Sequence, residues 1–245
     1  MQRWDFEPAA DFGLSPRARL QSLHREAGLV GSLVHLGWWA LSRAYLAGFH
    51  RLTVIGRENL PRRAPFILVA NHASHLDAVS LAACLPARHC VRTFPIAAGD
   101  TFFESFGVSV FAAMALNALP LWRRRARRDD LAMLRTRLGE GGCIYILFPE
   151  GTRARDGVMA GFKPGIGRLV AGTPIPVVPC HIAGAFEAFP PHRKLPRPRR
   201  LRITIGAPLA FAETADDKAG WLHVAEATEA SVRRLAASAE FSRRA

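Results

Sequence analysis

Residues 67–81, ILVANHASHLDAVSL, join two hydrophobic patterns through a short polar segment. A continuous apolar run ends near Asn71, and a helix-like apolar pattern resumes after Asp77. The first run predicts a buried strand, and Asp77 at or near the N-cap predicts the start of a helix. The stretch therefore predicts a strand, a polar loop and a helix in succession, as in an α/β fold.

The rest of the chain repeats this alternation of extended apolar runs and helical patterns. Strands are predicted within residues 51–56, 65–71, 89–98, 118–123, 143–149, 175–184 and 201–209. Helix faces are predicted where apolar side chains recur at helical spacing, at Leu131, Leu134 and Leu138 and at Trp221, Val224, Ala225, Thr228, Val232 and Leu235. We expect a single α/β domain with a mixed, largely parallel sheet flanked by helices.

Two uncharged or nearly uncharged segments need separate interpretation. Residues 105–122 carry no charge but contain Asn117 and Pro120, which predicts a buried helix running into a strand. Residues 27–49 would form a helix about 34 Å long, which is enough to cross a bilayer. We therefore divide the chain into an N-terminal helical segment, residues 1–50, and an α/β domain, residues 51–245.

The N-terminal helix has a weakly polar stripe about 100° wide that is formed by Ser32, His35, Trp39, Ser42 and Arg43. Such a stripe, close to further aromatic residues, suits a helix that lies in the membrane interface. A core helix that covers the sheet is the alternative. The membrane-docking interpretation predicts a protein at the cytoplasmic face of a membrane, either peripheral or anchored by one helix.

Composition limits the classes of partner. The chain has 245 residues, 49% of them hydrophobic, which is enough for one sizeable core. Lys and Arg number 33 against 20 Asp and Glu, so the formal charge of +13 favours an anionic partner. Residues 123–128 and 192–202 are the strongest basic runs, and neither interleaves aromatic side chains with the charges. Nucleic-acid binding is therefore not expected.

The N-terminus and the cysteines indicate the compartment. Residues 1–20 lack the apolar run and the small-residue cleavage site of a secretory signal, so export is not expected. The four cysteines form no CxxC pair and have no zinc-like spacing. We interpret them as reduced core residues in a cytosol-facing protein: Cys84, Cys90, Cys143 and Cys180.

His72 and Asp77 have the residue types of a general base and its orienting carboxylate. On a regular helix they would point about 140° apart, so they can meet only if the chain turns between them. A carboxylate bonded to one ring nitrogen would fix the tautomer and leave the other nitrogen free to accept a proton. His72 would then stand at the carboxyl edge of a sheet, where open α/β folds bind ligands. An Asp that only caps a helix is the alternative.

Residues 147–157, LFPEGTRARDG, form a second polar segment at the end of a predicted strand. Gly151 allows close backbone approach, and Arg153 offers a planar fork for a phosphate. Glu150 could accept a hydroxyl group or hold that arginine. A plain turn between a strand and a loop would also contain Pro and Gly.

NHASHLD and FPEGTR, in this order and spacing, resemble the glycerolipid acyltransferase family, whose best known members are the 1-acylglycerol-3-phosphate acyltransferases. Three weaker blocks are also similar to that family: ALPLWRR at 118–124, GFKPGIGRLV at 161–170 and GTPIPVVPCHIAGA at 172–185. The likeness extends from about Val54 to Leu209.

The resemblance implies a role for each matching residue. His72 would deprotonate the acceptor hydroxyl, and Asp77 would orient it. The positions that would bind the glycerophosphate end of the acceptor are Arg123, Glu150, Gly151, Thr152, Arg153 and Lys163. Ser74 and His75 are expected to be spectators, although Ser74 could bond a turn amide.

The implied reaction moves a fatty acyl group from acyl-CoA or acyl carrier protein to a lysophospholipid hydroxyl, most simply from 1-acylglycerol-3-phosphate to phosphatidic acid. No cofactor or metal is expected beyond this thioester co-substrate. The chain has no GxSxG elbow, and none of its cysteines lies near a candidate histidine in sequence, so direct attack by the acceptor is favoured over an acyl-enzyme. The basic runs would attract an anionic membrane surface, an acidic carrier protein or the phosphates of coenzyme A.

The second block departs from the family pattern. Trp122 stands where familiar members have Asp before the Arg, and AAGDTFFESFGVSVF replaces an upstream block with Lys and Glu. A different hydroxylated or lyso-lipid acceptor is therefore an alternative. Two further alternatives are a zinc site formed by His72, His75 and Asp77, and a non-catalytic basic membrane-binding module that would tolerate His72→Ala.

Overall fold

The computed structural model describes residues 11–25, 28–122 and 128–244. In this part of the chain the strands are β1 Thr53–Ile55, β2 Phe66–Ala70, β3 Thr93–Ala98, β4 Leu119–Leu121, β5 Ile144–Leu147, β6 Val177–Ala183 and β7 Arg202–Ile205. The helices are α1 Pro16–Leu20, α2 Leu29–Phe49, α3 Asp77–Cys84, α4 Gly99–Phe102, α5 Phe106–Val110, α6 Arg128–Glu140, α7 Gly165–Val170, α8 Ala185–Ala188 and α9 Lys218–Arg244. Each predicted strand segment contains one of these strands, although β3 begins later than predicted because Ala87–Arg92 forms a 3₁₀ helix.

Within the described ranges the strands form one mixed sheet in the order β1-β7-β6-β2-β5-β3-β4. All neighbouring pairs are parallel except β6 and β7, which are antiparallel. Every residue of β2 is fully buried because both faces of the sheet are covered. This explains the continuous apolar run that precedes Asn71, since a strand buried on both faces needs no alternation.

Helices cover both faces of this sheet. One face packs against α2 and α3, and its cluster includes Leu46, Leu81 and the β2 residues Phe66 and Leu68. The other face packs against α6, α7 and α9, and it receives the alternate residues of β2. The predicted apolar face of α6 and the first part of that of α9, through Ala225, lie in or against this second cluster, so the predicted α/β class with flanking helices is confirmed.

The polar stripe of α2 faces the protein. The ring nitrogens of His35 lie 2.7 Å from the Ala115 carbonyl and 3.1 Å from the Cys90 carbonyl. Arg43 donates to the Ala83 carbonyl at 2.7 Å. These contacts fit the alternative of a helix that covers the sheet, because buried carbonyls at the ends of neighbouring elements are the partners of the stripe, and membrane docking of α2 stays a prediction. No helix in the described residues has the length and hydropathy of a transmembrane span.

The segment 105–122 is a helix that leads into a strand, as predicted, but only one of its faces is buried. Ser109 and Ala112 are inaccessible, whereas Phe106 and Phe111 remain 56% and 44% exposed. The helix changes to a π-helical turn at Phe111–Ala115 before β4 begins. The absence of charged residues in segment 105–122 therefore reflects both an exposed apolar face and a face that packs in the core.

Candidate active site

The carboxyl ends of β2 and β5 lie side by side because these strands pair in parallel, with Val69 opposite Leu147. The chain leaves β2 for β3 on one side and leaves β5 for β6 on the other. Open α/β sheets bind ligands at such a switch point, outside the carboxyl ends of the strands. The loops that follow these strands, residues 71–76 and 148–164, contain both sequence motifs and form the candidate site.

His72 and Asp77 form a hydrogen-bonded pair. Nδ1 of His72 lies 2.8 Å from Oδ2 of Asp77, which is fully buried, whereas the His72 side chain is 23% exposed. The same Oδ2 accepts the backbone N–H groups of Ala73 at 2.7 Å and Ser74 at 2.8 Å. The turn before α3 therefore brings the two side chains together, and Asp77 begins the helix as predicted.

This geometry determines which nitrogen of His72 can accept a proton. An ionised carboxylate is only an acceptor, so the proton of the neutral imidazole belongs on Nδ1. Nε2 then carries the free lone pair and can act as a general base. The ring of Phe148 stacks on the imidazole, with centroids 4.1 Å apart and an interplanar angle of 17°. Asp77 and Phe148 together hold the ring in one orientation.

Glu150 joins the two loops through backbone contacts. Its Oε1 accepts the N–H of His72 at 2.6 Å, and its Oε2 accepts the N–H of Ala160 at 2.9 Å. The residue is 3% exposed, and burial raises the pKa of its carboxyl above the ordinary 4.5, although the two N–H groups oppose that shift. In this arrangement Glu150 supports the backbone of His72. A direct contact between Glu150 and the acceptor stays a prediction.

Gly151 and Lys163 lie next to each other at the mouth of the site. Gly151 has a φ of +75°, in the region that favours glycine, and a Cβ there would lie 2.7 Å from Nζ of Lys163. The backbone N–H of Lys163 bonds the Pro149 carbonyl at 3.0 Å, which folds the chain back onto this turn. Lys163 and Thr152 are both exposed. The acceptor-binding roles of these residues stay predictions.

Arg153 contacts a residue that sequence reasoning had set aside. Its Nη1 lies 2.6 Å and 2.7 Å from the two ring nitrogens of His75. The His75 ring also packs on Phe189, with centroids 4.7 Å apart. Burial and then the charge of Arg153 lower the pKa of His75. A neutral imidazole can accept a guanidinium N–H through one ring nitrogen, so His75 is placed to orient Arg153, and its role in the reaction stays a prediction.

Two further side chains shape the loop around His72. Oγ of Ser74 accepts the N–H of Leu76 at 3.1 Å, which confirms the predicted bond to a turn amide, and it donates to the Phe189 carbonyl at 2.7 Å. Asn71 exchanges two hydrogen bonds with the backbone of Ile182 in β6. Its position at the end of a buried run was a signal for such pairing, whereas no local pattern marks Phe189.

The remaining predictions concern Arg123, a metal ion and the cysteines. Arg123 lies outside the described residues. No group of three or more His, Cys, Asp and Glu side chains in the described ranges is placed to hold a metal ion. Moreover, the zinc hypothesis would set a second cation beside His75, against the Arg153 guanidinium.

All four cysteines are buried, as predicted. Burial raises the pKa of Cys84 to about 12 and that of Cys90 to about 11, and it also raises the pKa values of the other two. Because the thiolate is the nucleophilic form, these thiols are poor candidates for an acyl-enzyme. Direct attack by the acceptor hydroxyl fits the site better.

Known proteins match both the sequence and the fold. A sequence model of the family described as Acyltransferase matches residues 51–183. A 1-acyl-sn-glycerol-3-phosphate acyltransferase of Chlamydomonas reinhardtii is 34% identical over 184 residues, which are 73% of this chain and 52% of the relative. The 1-acyl-sn-glycerol-3-phosphate acyltransferase alpha of Homo sapiens is 32% identical over 149 residues, 59% of this chain and 49% of that protein. This chain thus spans about half the length of these curated relatives.

The fold is similar to the crystal structure of the 1-acyl-sn-glycerophosphate (LPA) acyltransferase PlsC from Thermotoga maritima. The TM-score is 0.61 at 25% sequence identity, and the match covers 83% of this chain and 77% of that chain. The segment that matches the family model contains both loops of the candidate site, with the paired His72 and Asp77 and the FPEGTR motif. This chain therefore belongs to the glycerolipid acyltransferase family.

Proposed function

We propose that this protein transfers a fatty acyl group from a thioester donor to the free hydroxyl of 1-acylglycerol-3-phosphate and so forms phosphatidic acid. The observation that carries the proposal is the fixed His72–Asp77 pair beside the cationic Arg153 and Lys163. A base next to phosphate-binding cations suits an acceptor that has a hydroxyl group near a phosphate. The names of the matched relatives support the same acceptor.

The proposed reaction proceeds by direct attack. Nε2 of His72 takes the proton of the acceptor hydroxyl while the hydroxyl oxygen bonds the thioester carbonyl carbon. Collapse of the tetrahedral intermediate breaks the carbon–sulfur bond, and the departing thiolate receives the proton from the imidazolium. Asp77 stabilises that imidazolium because its buried carboxylate already bonds Nδ1. Placing the two substrates together supplies much of the remaining rate enhancement.

The phosphate of the acceptor would lie at the mouth of the site. The guanidinium of Arg153 offers a planar fork, and Lys163 offers a point charge beside Gly151. Gly151 has a φ of +75°, which favours glycine, and the absence of a side chain there leaves the Lys163 ammonium its position. Glu150 contributes indirectly by holding the backbone of His72.

The experiment that tests this function compares His72→Ala with the native protein on radiolabelled acyl-CoA and a panel of lysophospholipids and other hydroxylated lipids. His223→Ala, a change at an exposed histidine of α9, is the matched control. Loss of a general base lowers the rate by about 10²–10⁴-fold, so we expect that loss with His72→Ala and full activity with His223→Ala. Highest activity with another acceptor would assign that acceptor as the substrate. Equal rates in both variants would refute the mechanism.

The outer face of α2 supports a second part of the proposal, attachment to an anionic membrane surface at the cytoplasmic face. Leu29, Leu33 and Leu41 on this face are 77%, 60% and 62% exposed. Trp38 makes an edge contact with the ring of Phe111, 5.2 Å between centroids, which extends the apolar surface towards α5. Contiguous exposed apolar surfaces of this kind mark sites of membrane or protein contact. The inward polar stripe leaves this outer face apolar, which favours docking.

Vesicle binding tests this attachment. We expect Leu33→Ser and Leu41→Ser each to weaken binding to anionic vesicles about tenfold, because each leucine contributes about 1.5 kcal/mol on leaving water. Leu222→Ser, at an exposed leucine of α9, is the control and should bind normally. Unchanged vesicle sedimentation in both α2 variants would exclude α2 as the docking element.

A further inference from the structure

An open groove of about 530 Å³ lies beside α8, apart from the loops of the candidate site. The lining of the groove combines basic and apolar side chains. The basic ones are His192, Arg193, Arg197 and Arg199. Phe186 and Pro190 form the apolar wall, and Glu187 also lines the groove. We call this feature the basic groove.

The basic side chains of the groove outnumber its one lining carboxylate, Glu187. Among the described residues, no ion pair joins a basic side chain of the groove to a carboxylate. Nη1 of Arg193 is buried and has no hydrogen-bond partner in the described part of the chain. The groove is nevertheless ordered by its backbone, since the N–H of Arg193 bonds the Pro190 carbonyl at 3.1 Å and that of Arg197 bonds the Ala188 carbonyl at 2.8 Å. A fixed backbone with uncompensated cations is suited to an anionic ligand.

The basic groove shares a wall with the candidate active site. Phe189 precedes the groove residue Pro190. Its ring packs on His75, and its backbone carbonyl accepts a hydrogen bond from the Ser74 hydroxyl. Phe186 lies against Gly157 of the second loop, because a Cβ at that glycine would be 3.0 Å from the phenylalanine ring. A ligand in the groove therefore lies next to both loops that form the site.

We propose that the basic groove binds the phosphorylated nucleotide end of coenzyme A, the carrier portion of the acyl donor. The groove volume lies within the range of about 300–1,000 Å³ that is typical of small-molecule sites. Coenzyme A carries a diphosphate and a 3′-phosphate for the arginines and an adenine ring for the apolar wall.

The division of phosphates between two places also favours this ligand. Arg153 and Lys163 already provide cations at the mouth of the site for the single phosphate of the acceptor. The groove cations are a separate set, since neither Arg153 nor Lys163 lines the groove. The part of the proposal that rests on the proposed function is that coenzyme A carries the transferred acyl chain. Binding of coenzyme A itself can be measured without turnover.

The test measures binding of coenzyme A and of 3′-dephospho-coenzyme A by titration calorimetry to the full chain. The variant is Arg193→Gln combined with Arg197→Gln, and Arg197→Gln alone is a milder change at an exposed residue. The matched control is Arg62→Gln combined with Arg63→Gln, which removes two exposed charges before β2, at the opposite edge of the sheet. Thermal unfolding verifies that all variants are folded.

We expect the Kd for coenzyme A to rise at least about tenfold in the double variant, equivalent to about 1.4 kcal/mol, and to stay unchanged in the control. The Kd for the dephospho form should start higher and change less. In turnover, the KM for acyl-CoA should rise while the KM for the lysophospholipid and the rate with an acyl-pantetheine thioester stay the same.

Three results would overturn the proposal: equal coenzyme A binding in native and double-variant protein, a rise in KM for the lysophospholipid alone, or a rise in KM for acyl carrier protein with acyl-CoA unaffected. They would indicate a solvated basic surface, an acceptor site and a carrier-protein site, respectively. Groove-dependent coenzyme A binding in a protein without acyl transfer would instead refute the proposed function and support the groove.

Discussion

Replacement of Asp77 by asparagine tests the histidine–aspartate pair with almost no change in side-chain size. In the native structure Oδ2 of Asp77 accepts N–H groups from His72, Ala73 and Ser74. Asparagine offers one oxygen and one NH₂ group. With its oxygen in the Oδ2 position it keeps all three bonds, but it lacks the negative charge that stabilises the imidazolium, and its NH₂ group takes the buried Oδ1 position, which has no hydrogen-bond partner among the described residues. If the NH₂ group faces His72, it donates to Nδ1, and the imidazole proton then moves to Nε2. The nitrogen that must accept the substrate proton is thereby blocked.

The expected magnitude follows from these contacts. General-base catalysis contributes about 10²–10⁴-fold, so a wrong tautomer should lower kcat by about 10³-fold. The KM for the acceptor should change little, because Asp77 is fully buried behind His72 and cannot touch substrate. Stability should fall by about 1.5–3 kcal/mol, the usual contribution of hydrogen bonds to a charged group.

Steady-state kinetics with a saturating donor, together with thermal unfolding followed by circular dichroism, measure both quantities. Asp156→Asn is the matched control, because it removes the same charge near the site. The exposed carboxylate of Asp156 accepts the N–H of Val158 at 3.0 Å. A folded Asp77→Asn variant with native kcat would refute the catalytic role of the pair. A loss of kcat in the Asp156 control would show that net charge, not geometry, is responsible.

Two further predictions concern the residues that support the site. His75→Ala should raise the KM for a phosphate-bearing acceptor about tenfold with little change in kcat, while His75→Asn should restore the native KM. In native protein the same KM should rise in acid, because a protonated His75 repels Arg153. A KM that does not change with pH would contradict this positioning role. Burial raises the pKa of Glu150, so this carboxyl holds its proton to higher pH in the folded protein than in the unfolded chain. The contribution of Glu150 to stability should therefore be full below pH 4.5 and be lost as pH rises through the folded pKa. Denaturant titrations across pH should show this contribution in native protein and not in Glu150→Gln.

Local patterns were sufficient to identify the elements of the fold. Continuous apolar runs marked the strands that are buried on both faces, because a strand covered on both sides has apolar residues at every position and a half-exposed strand alternates apolar with polar residues. The polar break after β2 marked the loop, and Asp77 marked the start of α3. The candidate base and its carboxylate could also be predicted from the sequence, since they lie in one short stretch of the chain and interact across a single turn.

The orientation of α2 was outside the reach of the pattern. A weakly polar stripe and an apolar face are equally compatible with a helix whose polar side meets lipid headgroups or buried carbonyls. The structure selects the second arrangement because free carbonyl groups of Ala83, Cys90 and Ala115 lie beneath His35 and Arg43. Which partner satisfies a polar side chain depends on the neighbouring element, and periodicity contains no information about that neighbour.

The sequence by itself determined the α/β class, the strand positions, the candidate catalytic loop and the family resemblance, because each depends on residues close together in the chain. Only the tertiary structure decided that Glu150 bonds the backbone of His72, that His75 contacts Arg153, and that a basic groove adjoins the site. These contacts join loops 78 residues apart in the chain. They exist because β2 and β5 pair in parallel and their carboxyl ends share one edge of the sheet, an arrangement that strand order sets and local sequence does not.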